Sequence, residues 1–139
     1  MSDHPSPPVS PYLTVANATE AAAFYTRAFG AHEIMRMPAE DGKRLLHVSM
    51  TINGGLLMMS DDFPEHNGGV PGTPQEGRRS PVTIHLEVED VDAAMAKAAE
   101  AGAKVTMPAQ DMFWGQRYGR LVDPFGHQWA MTGPLAKKS

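Results

Sequence analysis

Two histidines lie in strand-like segments where their side chains could do chemistry. In segments 45–52 and 82–88, apolar residues alternate with polar or small ones, and His47 and His85 fall in the polar phase. An imidazole on such a face can hydrogen-bond a ligand, act as a general base or bind a metal. Two imidazoles without a carboxylate make a poor metal site, because catalytic zinc usually has three protein ligands. We therefore interpret both first as hydrogen-bonding walls of a pocket.

The polar phases of other segments supply further lining residues. The same alternation in segments 10–15 and 116–122 adds tyrosines and a guanidinium, and a tryptophan in the loop ahead of the latter could close the cavity mouth. For that tryptophan, packing in the core or against a second copy remains an equal alternative. An aromatic lining with a few donors suits a small planar or amphipathic ligand, including an anion. The candidate binding residues are Tyr12, His47, Thr83, His85, Trp114, Tyr118 and Arg120.

The opposite phase of the two histidine segments is wholly apolar, and we expect it to pack on helices. Its members are Leu46, Val48, Met50 and Ile52 in the first segment, and Val82, Ile84, Leu86 and Val88 in the second. A slip of one residue would turn these side chains to the cavity, which burial energetics disfavour.

The elements that must position these faces occur twice. A polar cap, an Ala-rich helix and a Gly-Ala pair recur in VANATEAAAFYTRAFGAHEI from Val15 and VEDVDAAMAKAAEAGAKVTM from Val88. Each copy reads strand, helix, strand, strand, strand. The pattern predicts an α+β fold of two βαβββ modules, a curled mixed sheet around a cavity, and helices on its outer face. We expect a single domain over residues 1–139, with modules at about 9–60 and 82–133.

Two connecting segments have readable turn chemistry. Residues 61–81 hold four Gly and four Pro, so we expect no regular structure there; a lid, a dimer arm and a disordered linker stay open. In DPFG, Pro124 sets φ and Gly126 supplies a positive φ, so Asp123–Gly126 should be the last hairpin turn.

Composition excludes several classes of protein. The 139 residues include no Cys, which excludes disulfide scaffolds, zinc ribbons and thiolate chemistry. The 12 basic residues are outnumbered by 16 acidic ones without a basic run, so nucleic acid and anionic membranes are not expected partners. No apolar run reaches the ~18 residues of a membrane span, and the start lacks the features of a signal peptide. We expect a cytoplasmic protein.

Three strings carry a resemblance to a known family: LTVANATEAAAFYTRAFGA (13–31), VEDVDAAMAKAAEAGAKV (88–105) and DPFGHQW (123–129). With the doubled module, the chain over about residues 9–133 resembles the vicinal oxygen chelate superfamily of glyoxalase I, extradiol dioxygenases and bleomycin resistance proteins. The run 107–129 is similar to its PhnB-like branch. The resemblance implies a homodimer, as do the edge strands that such sheets leave bare.

In metal-dependent members, four inward residues hold one divalent ion. The resemblance matches these positions to Ser10, Met58 or Met59, Thr83 and Ala130, and implies that they converge in one cavity. None is a competent ligand for a hard or borderline divalent cation. We therefore predict that the family's metal site is lost and that no cofactor is bound, with a relocated divalent metal as the alternative.

Three functions stay open at this point, because a fold does not fix a function. The first is a metal-free protein that binds a small molecule, as bleomycin resistance proteins do. The alternative is a lyase, isomerase or dioxygenase-like enzyme that uses His47, His85 or a relocated divalent metal. The third is a binding module that reports on a ligand. Whether the chain is an enzyme is left undecided.

Overall fold

The computed structural model describes residues 7–136, which form two helices and eight strands. In chain order they are β1 (Tyr12–Val15), α1 (Ala18–Phe29), β2 (His32–Pro38), β3 (Leu45–Ile52), β4 (Gly55–Asp61), β5 (Thr83–Glu87), α2 (Val91–Ala101), β6 (Lys104–Asp111), β7 (Arg117–Val122) and β8 (Gln128–Gly133). The order βαβββ occurs twice, and the predicted fold class is confirmed.

The strands form two four-stranded mixed sheets, one in each module. Their strand orders are β1-β4-β3-β2 and β5-β8-β7-β6. In each sheet the first strand pairs in parallel with the last strand of its module, and the remaining pairs are antiparallel. By internal contacts the chain divides into two compact units, of which the first ends at Thr73 and the second begins at Pro74.

Both helices begin and end where the sequence places their caps. The Asn17 side chain accepts a hydrogen bond from the Glu20 N–H at 3.1 Å, and the Asp90 carboxylate accepts one from the Ala93 N–H at 3.1 Å. Gly30 ends α1 with a left-handed φ of 68°, a conformation that costs glycine least. Gly102 follows the last residue of α2.

The apolar phase of β3 packs as predicted except at its start. Val48, Met50 and Ile52 are buried, but Leu46 is 44% exposed and Leu45 is buried in its place. The cause is a bulge, because Met37 and Pro38 of β2 pair with residues two apart in β3 and leave Leu46 unpaired. The prediction for Leu46 was therefore wrong.

A second apolar residue also departs from the predicted packing. Val82 is 65% exposed because β5 begins one residue later, at Thr83, while Leu86 is buried. The core of the second unit comes instead from β7 and β8, where Leu121, Trp129 and Met131 are almost fully buried.

A buried carboxylate orders the DPFG turn between β7 and β8. Asp123 accepts hydrogen bonds from the backbone N–H groups of Phe125 at 2.8 Å and His127 at 3.0 Å, and from the indole Nε1–H of Trp129 at 2.9 Å. Gly126 has a φ of 87°. The predicted hairpin turn is confirmed as a structural element.

The segment 61–81 is more ordered than its composition indicates. Asp61 is the last residue of β4, and its buried carboxylate accepts hydrogen bonds from the N–H groups of Ala18 at 2.9 Å and Leu45 at 2.7 Å. One 3₁₀ turn, Pro64–His66, follows. Among residues 7–136, no helix is long and apolar enough to cross a membrane.

Candidate functional site

The polar face of the first sheet carries a hydrogen-bonded chain of three side chains. The Tyr12 hydroxyl lies 3.0 Å from His47 Nδ1, and His47 Nε2 lies 2.5 Å from Ser49 Oγ. The Tyr12 and His47 rings are in contact, with centroids 5.5 Å apart. Two of the predicted binding residues, Tyr12 and His47, are thus in direct contact. Ser49, two residues after His47 in β3, lies on the same face and contacts the imidazole.

The surroundings of Tyr12 favour one tautomer of His47. The tyrosine hydroxyl also lies 3.4 Å from the carbonyl oxygen of Leu46. Because a carbonyl oxygen only accepts hydrogen bonds, the hydroxyl is the donor in this contact. With its proton on that carbonyl, the hydroxyl oxygen would accept a hydrogen bond from Nδ1–H of His47. In that tautomer the lone pair is on Nε2 and accepts from the Ser49 hydroxyl. An imidazole held in this way can serve as a proton acceptor.

Strand register decides between the two methionines that were left open. Met58 lies opposite Tyr12 on one side and Ser49 on the other, so it shares their polar face. Met59 lies opposite Leu13 and is fully buried on the helix side. Met58 is therefore the residue at the position matched to a family ligand.

In the second sheet, an arginine contacts one of the matched metal-ligand positions. Nη2 of Arg120 donates a hydrogen bond to Thr83 Oγ1 at 2.5 Å. Ala130 of β8 lies between Arg120 on β7 and His85 on β5 in one row across the three strands. Ala130 is only 1% exposed, so side chains of this row cover it. Thr83, His85 and Arg120, three of the residues predicted to bind a ligand, therefore share one face of the second sheet.

No acidic side chain among the described residues neutralises the charge of Arg120. Within residues 7–136, Arg120 makes no ion pair, and Thr83 is its hydrogen-bond partner. Its neighbour Arg117 differs, because it lies on the helix side and pairs with Asp92 at 2.7 Å and Asp111 at 3.2 Å. The hydrogen bonds to Asp92 raise the pKa of the Arg117 guanidinium. Of the two arginines, Arg120 is the one available to an anionic ligand.

Aromatic rings stand at the end of the same face. Trp114 contacts Tyr118 edge to face with ring centroids 5.7 Å apart, and it contacts Phe113 in the same way at 5.0 Å. Phe113 is 96% exposed and Trp114 is 47% exposed, so neither ring belongs to the core of the unit. Tyr118 precedes Arg120 by two residues and therefore shares its face. The ring cluster and the guanidinium could contact one aromatic anion together.

The residues at the matched family positions do not fit a divalent cation. Thr83 Oγ1 already accepts a bond from a guanidinium, and Met58 and Ala130 offer no oxygen or imidazole ligand. The hydroxyl of Ser10 is buried without a hydrogen-bond partner in the described chain, but one neutral hydroxyl is a weak ligand. Across residues 7–136, no three His, Asp or Glu side chains are grouped as a metal site would require.

A pocket of about 570 Å³ on the first unit was not foreseen from the sequence. Its Arg44 guanidinium lies 4.2 Å above the Phe63 ring and bonds Glu65 at 2.6 Å and Asp41 at 2.7 Å. These bonds lower the pKa of Glu65 to about 2, and the backbone N–H and guanidinium of Arg44 lower the pKa of Asp41. Half of its lining residues are Leu46, which lies at the bulge in β3, and Phe63, Glu65 and His66. The Gly and Pro content of residues 61–81 gave no sign that the latter three are ordered.

Comparison with known proteins agrees with this architecture. The sequence profile described as "Glyoxalase/Bleomycin resistance protein/Dioxygenase superfamily" matches residues 3–131. An uncharacterized protein of Mycobacterium bovis (strain ATCC BAA-935 / AF2122/97) is 45% identical over 135 residues, which are 97% of this chain and 88% of that protein.

Solved structures show the same fold. TioX from Micromonospora sp. ML1 matches with a TM-score of 0.70 and 27% identity, over 96% of this chain and 100% of that one. The PhnB protein from Bacillus cereus matches with a TM-score of 0.65 and 16% identity, over 94% and 100%, which shows the fold alone. The profile match covers nearly the whole described fold, and the chain belongs to the glyoxalase/bleomycin resistance protein/dioxygenase superfamily.

Proposed function

We propose that this protein binds a small anionic, partly aromatic molecule without a metal ion. The observation that carries the proposal is the hydrogen bond from the Arg120 guanidinium to Thr83 Oγ1, one of the positions matched to a metal ligand. A guanidinium there supplies a fixed positive charge that a divalent ion supplies in other members of the family. It also disfavours a second cation nearby, because like charges repel strongly where water is scarce.

The neighbouring side chains favour a planar anion. His85 lies across Ala130 from Arg120, so a carboxylate or phosphonate on this face could accept hydrogen bonds from both. Trp114 and Tyr118 would contact the apolar part of the same molecule. Bonds of this charge-assisted kind contribute about 1.5–3 kcal/mol each, enough to decide the affinity of a small ligand.

The first sheet carries polar groups of its own. Tyr12 and His47 offer a hydroxyl and an imidazole on its polar face, and we propose that they bind a small molecule within the first unit. We also propose that the protein is a cytoplasmic homodimer of the PhnB-like branch. The bare strand edges of both sheets support the dimer, since edges of this kind pair readily.

Ligand titration of an arginine variant tests the proposal. Phenylphosphonate and benzoate serve as anionic aromatic probes, benzyl alcohol as the neutral control, and quenching of tryptophan fluorescence as the readout. In EDTA-treated protein, Arg120→Met should weaken binding of the anions by about tenfold or more, the loss of one charge-assisted bond. Arg27→Met, a change on the exposed surface of α1, is the matched control. Equal affinity of both variants would refute the role of Arg120.

The chain Tyr12–His47–Ser49 supports an enzyme as the second candidate. A lyase or isomerase needs a general base, and His47 Nε2 carries its lone pair in the tautomer favoured above. Incubation with 2-oxo acids in D₂O, followed by proton NMR, would detect abstraction of a C–H proton. Exchange that His47→Gln abolishes and Arg27→Met retains would support this candidate; absence of exchange in the native protein would count against it.

A further inference from the structure

Three methionines lie beside His47 and Ser49 on the polar face of the first sheet. Met37 lies directly opposite His47 across the β2–β3 pair. Met35 lies opposite Ser49 in the same pair, and Met58 lies opposite Ser49 on the β4 side. Directly opposed residues point to the same face with Cβ atoms about 5 Å apart. The register therefore groups three thioethers around one imidazole.

Both ring nitrogens of His47 are hydrogen-bonded to hydroxyl groups. Nδ1 is 3.0 Å from the Tyr12 hydroxyl, and Nε2 is 2.5 Å from Ser49 Oγ. Nε2 therefore points to Ser49, which lies between Met35 and Met58 in the sheet. A histidine that binds a metal through one nitrogen characteristically donates its other N–H to a fixed oxygen, as Nδ1–H would to the Tyr12 hydroxyl in the tautomer favoured above.

Two of these methionines are exposed and do not belong to the core. Met35 is 45% exposed and Met37 is 47% exposed, although methionine is among the residues most often buried. They lie on β2, the edge strand of the sheet, with one residue between them. In the folded unit their side chains are accessible to solutes.

Neutral sulfur and nitrogen ligands select a soft cation. Thioethers bind Cu(I) well, whereas Mg²⁺, Ca²⁺ and Mn²⁺ prefer carboxylate and carbonyl oxygens. We propose that Met35, Met37 and His47 form a binding site for a soft monovalent cation, Cu(I), with Met58 on the opposite flank of the same imidazole. The ion would bind Nε2 in place of the Ser49 hydroxyl, which turns away.

This proposal does not rest on the function proposed above. Its ligands all lie in the first unit, where His47 is also a proposed contact for a small molecule, while the anion contacts tested above are centred on Arg120 in the second unit. Arg120→Met should leave soft-cation binding unchanged, and replacing the exposed methionines should leave the Arg120-dependent binding of phenylphosphonate unchanged. Failure of one proposal is therefore distinguishable from failure of the other.

Titration with Ag(I), a redox-inert substitute for Cu(I), tests the site. Calorimetry should give one tight equivalent, and the ¹³C-methyl resonances of Met35 and Met37 should shift on saturation while that of Met112, in the loop after β6, stays in place. The double variant Met35→Leu/Met37→Leu should lose at least about 100-fold in Ag(I) affinity, since even changes beyond the ligands cost 10–100-fold. Leucine conserves the volume of methionine, so the variant should fold.

Two controls keep the result specific. Met112→Leu should bind Ag(I) like the native protein, and His47→Gln should bind it more weakly. Unchanged affinity in the Met35→Leu/Met37→Leu variant would overturn the proposal. Methyl resonances of Met35 and Met37 that do not move at saturation would overturn it equally, because another of the ten methionines would then hold the ion.

Discussion

Removal of the Asp123 carboxylate should cost more stability than removal of any exposed carboxylate in the second unit. The side chain is only 4% exposed and accepts three hydrogen bonds, two from backbone N–H groups and one from the Trp129 indole. Asp123→Ala leaves these donors without their acceptor. The His127 N–H and the Trp129 indole belong to buried residues, whereas Phe125 is half-buried. At about 1–3 kcal/mol for each buried unsatisfied donor, the loss should be about 3–5 kcal/mol.

Urea unfolding followed by circular dichroism measures this loss. Since domains of this kind are stable by about 5–15 kcal/mol, the change should move the midpoint far or leave the chain unfolded. Asp123→Asn keeps one acceptor oxygen, but its NH₂ group would face an N–H donor. It should therefore destabilise the protein by about 1–3 kcal/mol. Asp92→Ala, which removes an exposed partner of Arg117, is the control and should shift the midpoint little. A midpoint for Asp123→Ala equal to that of the control would refute the reasoning.

Three further outcomes follow from other contacts. Asp61→Ala should destabilise the first unit by about 2–4 kcal/mol, because two backbone N–H groups lose a buried acceptor; urea unfolding checks this. The carboxyl of Glu65 should titrate in NMR with a pKa of about 2, so it stays charged at pH values where an ordinary glutamate is protonated, and Arg44→Met should return this pKa toward 4.5. His85→Ala should cost little stability, since the ring is exposed, yet weaken phenylphosphonate binding by about 1–2 kcal/mol; unfolding without a change in affinity would make the residue structural.

Periodicity and capping predicted the helices and most strands closely. The segment 45–52 forms a strand with the predicted bounds, and both Ala-rich repeats form helices, because alternation and caps are local properties of the chain. The first sheet's edge strand, β2, was implied by the repeat but not located, since HEIMRMP lacks alternation and carries bulges. Bulges depend on the partner strand, which is why Leu46 was also misplaced.

The sequence could predict which candidate residues share a face of a strand, but not the contacts between them. Alternation was enough to place His47 and Ser49 on one face, and Thr83 and His85 on another. That Tyr12 reaches diagonally to His47, or that Arg120 bonds Thr83, depends on the pairing of strands far apart in sequence. The grouping of Met35 and Met37 with His47 depends likewise on the β2–β3 register.

The most direct test of metal-free anion binding is an NMR titration of chelator-treated protein with phenylphosphonate. Binding through the second sheet should shift the signals of Arg120 Nε–H, Thr83 and His85 together. The affinity for phenylphosphonate should be the same before and after addition of Mg²⁺ or Zn²⁺. Arg120→Met should lose these shifts. Shifts that arise only after a divalent cation is added, or that leave the Arg120 signal unchanged, would contradict the proposed function.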